Sequence, residues 1–139
     1  MPTISRSQGG YIVGAKTFTE QYVLAALIGQ RLKAAGLRAA TREGLGSNVV
    51  FEALAGNDID VYVDYSGTLW ANQFQRSDIR PREVLLDELK TLLAKQNITL
   101  LGELGFENAY ALVMPRKRAE QLGIRTIADL ASRAAGLTI

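Results

Sequence analysis

The order of its segments restricts this chain more than any single residue does: an apolar triplet, a short polar or glycine turn and a helical repeat, then the same again. Tyr11-Ile12-Val13 has the composition of a buried strand, and Gly14-Ala15-Lys16-Thr17 is the turn that follows it. Thr17 and Glu20 stand in the capping-box relation, and Leu24, Leu27, Ile28 and Leu32 recur at helical spacing until Gly36 closes the segment. Residues 38–42 read as a second strand. Gly44-Leu45-Gly46 is a glycine turn, and Ser47 or Asn48 caps a helix through Val49, Val50, Phe51 and Leu54 to Gly56. Asp60-Val61-Tyr62-Val63-Asp64-Tyr65 again has strand composition, and Ser66-Gly67-Thr68 is a polar turn. Strand and helix in alternation predict an α/β fold, a mainly parallel sheet flanked by helices.

Further along, Pro81 suits the first turn of a helix whose apolar positions include Val84, Leu85, Leu89, Leu92 and Leu93. Residues 99–103 and 110–114 read as further strands, and 116–122 and 127–135 as two shorter helices. The sequence closes on the strand-like Leu137-Thr138-Ile139.

Composition removes several kinds of chemistry. Cysteine and histidine are both absent, which excludes Cys-His and Ser-His-Asp triads, thiolate or imidazole metal sites and disulfides. The remaining acids and bases show no paired arrangement, so a binding module is expected rather than an enzyme, with no catalytic residue, metal or cofactor. Neither GxGxxG nor GxxxxGK occurs, which disfavours dinucleotide and nucleoside triphosphate sites. Asp58, Asp60 and Asp64 lack the spacing of a calcium loop and read as a solvated edge. The 16 basic residues are scattered among 14 acidic ones, with no concentrated stripe for nucleic acid. No apolar stretch approaches the ~20 residues of a membrane span.

In alternating sheets, ligands sit at the carboxyl ends of strands. Three such turns carry suitable groups here: Lys16, Thr17 and Thr19; Gly46, Ser47 and Asn48; and Tyr65, Ser66, Gly67 and Thr68. Hydroxyls, an ammonium and helix N-termini together favour an anionic ligand group. Tyr65 and Tyr110, with Tyr62 and Trp70 nearby in sequence, add aromatic faces. A quaternary ammonium has no N–H to donate and is recognised by such faces through cation–π attraction. Donors beside an aromatic cage fit a zwitterion. On the residues alone, a half-buried packing role for the tyrosines and a solvated role for Lys16 stand beside this reading.

The same residues carry a resemblance. Val13-Gly14-Ala15-Lys16-Thr17-Phe18-Thr19-Glu20-Gln21 resembles the VGxKxFTEQ opening of the glycine betaine, choline and carnitine binding proteins of osmoprotectant ABC importers. Residues 59–68 are similar to that family's IDxYxEYTGT segment, and residues 105–112 to a third landmark. The resemblance implies a periplasmic-binding-protein-like fold of the type II, venus-flytrap kind. Residues 1–10 would be a leader-like segment, 11–110 a first lobe, and 111–139 a crossover with the start of a truncated second lobe. It implies that Tyr65 and Tyr110 wall a cage around the methylated ammonium, and that Lys16 and Thr68 hold the carboxylate or other polar end. Ser47 and Asn48 rest on the helix-terminus argument alone.

The implied function is solute capture for an ABC permease, in the periplasm or otherwise outside the cytoplasm. The alternatives are a binding protein for an amino acid or oxyanion, or the ligand-sensing domain of a regulator. A partial module would expose apolar surface, so self-association or domain swapping is also expected. This chain has Val63-Asp64 where the family usually has Pro-Glu, and Ser66 for the usual Thr. By strand alternation Asp64 is expected to point away from Tyr65 and to serve packing or permease contact, not ligand.

Overall fold

The computed structural model describes residues 9–109, 111–133 and 135. The chain divides into two compact units, one running to Phe106 and the other starting at Glu107. In the first unit, strands β1 (Gly10–Lys16) and β2 (Arg38–Leu45) pair in parallel, with Tyr11 opposite Ala39 and Val13 opposite Thr41. Parallel neighbours need a crossover between them, and helix α1 (Thr19–Ala34) supplies it. The helix ends at the glycine the sequence marked. Gly36 takes φ +79°, its N–H donates to the Lys33 carbonyl, and the Leu37 N–H reaches back to the Leu32 carbonyl. Helix α2 (Ser47–Ala55), the short turn α3 (Ser66–Thr68), a π-helical turn (Leu69–Gln73) and helix α4 (Arg82–Ala94) complete this unit.

The helix starts differ from expectation. Extended Phe18 is the N-cap of α1, so Thr17 lies outside the helix and forms no box with Glu20, whose carboxylate turns elsewhere. Gly46 is the N-cap of α2, which makes Ser47 and Asn48 its first two residues instead of its caps.

The third strand is reduced to one bridge, Val13 with Val61. The Gly14 N–H donates to the Val61 carbonyl and the Asp60 N–H to the Ile12 carbonyl, while the Ile12 N–H is taken by the Asp60 carboxylate. β1 therefore lies between β2 and this segment. Beyond Val61 the ladder stops, because the Tyr65 N–H is taken by the Asp64 side chain rather than by β1. Among the described residues, 99–103 and 111–114 join no ladder either. Leu101 and Val113 are 82% and 91% exposed, since strand composition without a neighbouring backbone makes no sheet.

Apolar burial follows three clusters. Ala25 packs on Val13 and Ala15, flanked by Tyr22, Ile28, Leu32 and Val61. The buried stripe of α1 is Gln21, Ala25 and Gly29, while Leu27 faces outward. On the other side Val50, Ala53 and Ile59 pack with Ile12, Leu45 and Tyr62. Phe51, Leu69, Trp70, Leu89 and Leu93 form the third cluster. Helix α4 buries Leu86, Leu89 and Leu93 and leaves Val84 exposed.

In the second unit, helix α5 (Arg116–Leu122) closes on left-handed Gly123. Helix α6 (Ile127–Arg133) opens with a reciprocal cap. The Arg125 and Thr126 N–H groups donate to the Asp129 carboxylate at 3.0 and 2.9 Å, and the Asp129 N–H donates to the Thr126 hydroxyl at 3.1 Å. These donors, the Arg125 N–H first, hold the Asp129 carboxyl below its usual range. Among the described residues no helix is long and apolar enough to cross a membrane.

Candidate functional site

Lys16 is the last residue of β1, at the carboxyl end of the sheet, and only 1% of its side chain reaches solvent. A lone ammonium in such a position would cost several kcal/mol, so it needs a partner anion. Asp64, itself 7% exposed, provides it through a Lys16 Nζ–Asp64 Oδ1 ion pair. The same Oδ1 accepts the Tyr65 N–H at 2.7 Å, and Oδ2 accepts the Tyr62 hydroxyl at 2.8 Å. Burial first, and then the Asp64 charge, push the Tyr62 phenol well above its ordinary range, so it stays protonated and donates.

Tyr65 stands on the other side of this pair. The Lys16 ammonium lies 5.5 Å from the centre of its ring, within cation–π distance. Its hydroxyl donates to Glu20 Oε1 at 2.9 Å, so the first turn of α1 fixes the outer end of the ring. Phe106 meets the ring edge-on, with centroids 6.3 Å apart and planes at 83°. The ring is thus held by a hydrogen bond, a cation and an aromatic edge, each from a different part of the unit.

Thr68, Ser47 and Asn48 line a narrow crevice with Asp64, Phe51, Leu69, Asn72 and Gln73. The π-helical turn, closed by the Phe74 N–H donating to the Leu69 carbonyl, carries Asn72 and Gln73 into this lining. Asp64 belongs to both groups: it pairs Lys16 on one side and walls the crevice on the other.

Lys16 and Tyr65 therefore meet at the Asp64 carboxylate at the carboxyl end of β1, while Thr68, Ser47 and Asn48 share a crevice lining with Asp64. Tyr110 lies outside the described residues. Residues 62–65 leave the ladder, so strand alternation does not turn Asp64 away from Tyr65 as expected; its carboxylate folds back onto the Tyr65 N–H. Trp70 is no part of the site either. It is buried in the third cluster, with its indole N–H donated to the Asp78 carbonyl at 3.0 Å. Sequence reasoning also passed over Glu20 and Phe106. A buried strand ending in lysine was the available signal for a nearby acid; Phe106 lay within the third landmark but carried no signal of its own.

Residues 10–138 match the family described as the substrate binding domain of an ABC-type glycine betaine transport system, and the chain belongs to that family. It is a transport binding domain, not an enzyme family. The chain is 33% identical over 119 residues to the glycine-betaine-binding protein of Pseudomonas aeruginosa, covering 86% of this chain and 38% of that protein. It is 29% identical over 123 residues to an ergothioneine transport permease/ergothioneine binding protein of Helicobacter pylori, covering 86% of this chain and 22% of that one. A solved structure of a glycine betaine/carnitine/choline ABC transporter shares the fold, with a TM-score of 0.71 at 19% identity, over 92% of this chain and 49% of that one. The chain spans less than half the length of these curated relatives.

Proposed function

We propose that this chain contributes one lobe of the solute-binding component of an ABC importer, and that its solute is a small quaternary-ammonium osmoprotectant of the glycine betaine, choline or carnitine class. In this reading the protein acts outside the cytoplasm, captures solute without chemical change and presents it to a permease. Self-association of the chain through its exposed apolar segments belongs to the same reading.

The observation that carries it is Tyr65. Its ring is half-buried at the carboxyl end of the sheet, is held at its hydroxyl by Glu20, and already has a cation within cation–π distance. A ring so oriented is suited to a methylated ammonium, which binds through its surface charge and needs no acceptor. Thr68, Ser47 and Asn48, which line a crevice with Asp64, carry the hydroxyl and amide groups that this reading gives to the solute's polar end. Membership of the family and the named solute of the Pseudomonas relative support the same class.

The test is calorimetric titration of glycine betaine, choline and carnitine into the intact gene product and its Tyr65→Ala variant. Removing a cage ring is expected to weaken binding by about tenfold or more, given ~1–2 kcal/mol for a desolvated cation–π contact together with the lost packing. Unchanged affinity in a folded variant points instead to an anion-binding site in which Tyr65 only packs.

A further inference from the structure

We infer that Glu20 is a positioning residue that gives the Tyr65 ring its preference for a positively charged solute, acting through the Tyr65 hydroxyl. The inference rests on the proposed function and deepens it: the cage selects its solute by charge as well as by the shape of a trimethylated head.

The groups that hold the ring differ in charge. Lys16 brings a cation to 5.5 Å from its centre, and Phe106 packs against it edge-on as a neutral ring. Neither makes the ring more negative. Glu20 does, because its Oε1 accepts the Tyr65 hydroxyl at 2.9 Å and so sets a carboxylate directly on the ring's polar substituent. A charged acceptor draws the phenol proton toward itself and leaves the oxygen and the ring richer in electrons, since hydrogen-bonded groups polarise one another. A cation–π contact depends on that negative ring face.

The start of α1 places this carboxylate. Phe18 is extended, at φ −95° and ψ 144°, so the helix begins at Thr19 and its first turn carries Glu20 to a tyrosine 45 positions further on. A helix N-terminus favours an anion in its first turn, so the same carboxylate serves the helix and the ring. At its other end Tyr65 is held by its N–H, donated to Asp64 at 2.7 Å. The tyrosine is thereby fastened at backbone and hydroxyl, and the fastening at the hydroxyl is the one that reaches the ring's electrons.

Glu20→Gln keeps an acceptor oxygen at nearly the same reach and removes the charge. The experiment titrates glycine betaine and choline, each beside the analogue that carries a tert-butyl group in place of trimethylammonium. They are titrated into the intact gene product, its Glu20→Gln and Tyr65→Phe variants and the double variant, with folding checked by circular dichroism. Affinity for the methylated amines is expected to fall about fivefold in Glu20→Gln, the difference between a strong and an ordinary cation–π contact. Affinity for the uncharged-head analogues should not change. Tyr65→Phe removes the same hydrogen bond from the ring side and should reproduce the selective loss, and adding Glu20→Gln to it should cost nothing more.

Equal weakening of amines and analogues in Glu20→Gln would make Glu20 a purely structural residue and overturn the inference. So would a further loss in the double variant, since Glu20 would then act on the solute directly instead of through the ring. If Glu20→Gln does not fold, Tyr65→Phe decides by the same comparison of amine with analogue; if the analogues bind too weakly to titrate, the double variant decides. A wild type that binds neither amine removes the proposed function and this inference with it; binding that does not respond to Glu20→Gln removes only the inference.

Discussion

Lys16→Met is expected to lower the unfolding free energy by about 3–5 kcal/mol, the cost of stranding one member of a buried ion pair. Methionine fills the volume of the lysine stem, so the loss is electrostatic. It leaves the Asp64 carboxylate in place, 7% exposed and holding only the Tyr62 hydroxyl and the Tyr65 N–H. Urea denaturation followed by circular dichroism measures it. The double replacement with Asp64→Leu should recover most of the loss, because neither charge is then left buried. A single-variant loss below ~1 kcal/mol, the range of exposed pairs, would show that water shares this site and that the pair does not hold Tyr65 in position.

Gly14→Ala is expected to cost about 1–3 kcal/mol by overpacking, and to disturb the site from below. A Cβ at this position would stand 2.5 Å from Ile59 Cδ1, 3.1 Å from Val50 Cγ2 and 3.3 Å from Tyr62 Cβ. Ile59 and Val50 are both fully buried, so the isoleucine has little room to rotate away. Gly14 also donates its N–H to Val61 and sits at the register shift that leads to Lys16. Pushing the 59–62 segment off β1 would move Tyr62 and, through it, Asp64. Thermal unfolding should show the loss, and the same variant should bind glycine betaine more weakly. A variant as stable as the wild type would mean that Ile59 repacks without strain.

Parts of the fold were legible because their signals are short-range. The Gly36 stop of α1 follows from glycine's tolerance of positive φ, and the parallel pairing of β1 and β2 from the helix between them. The leucine face assigned to α1 was less reliable. Periodicity marks which residues share a side of a helix, but the sheet offered Val13 and Ala15, against which Ala25 fits and Leu27 is not needed. Strand composition likewise over-reached at 62–65 and 99–103, where no neighbouring backbone completes a ladder among the described residues.

By itself, then, the sequence determined the alternation of strand and helix, the places where each turns, and the carboxyl-end turns on which functional groups cluster. These depend on the chemistry of a few adjacent residues. Only the tertiary structure decided which charges meet. Lys16 and Asp64 are 48 positions apart, and Glu20 and Tyr65 are 45 apart. Their pairing depends on how β1, α1 and the segment after Val61 stack on one another, which residue spacing along the chain does not encode. A lysine that reads as a solvated charge in a turn becomes a buried one because the third segment closes over it, and an aspartate that reads as a solvated edge becomes its counterion for the same reason.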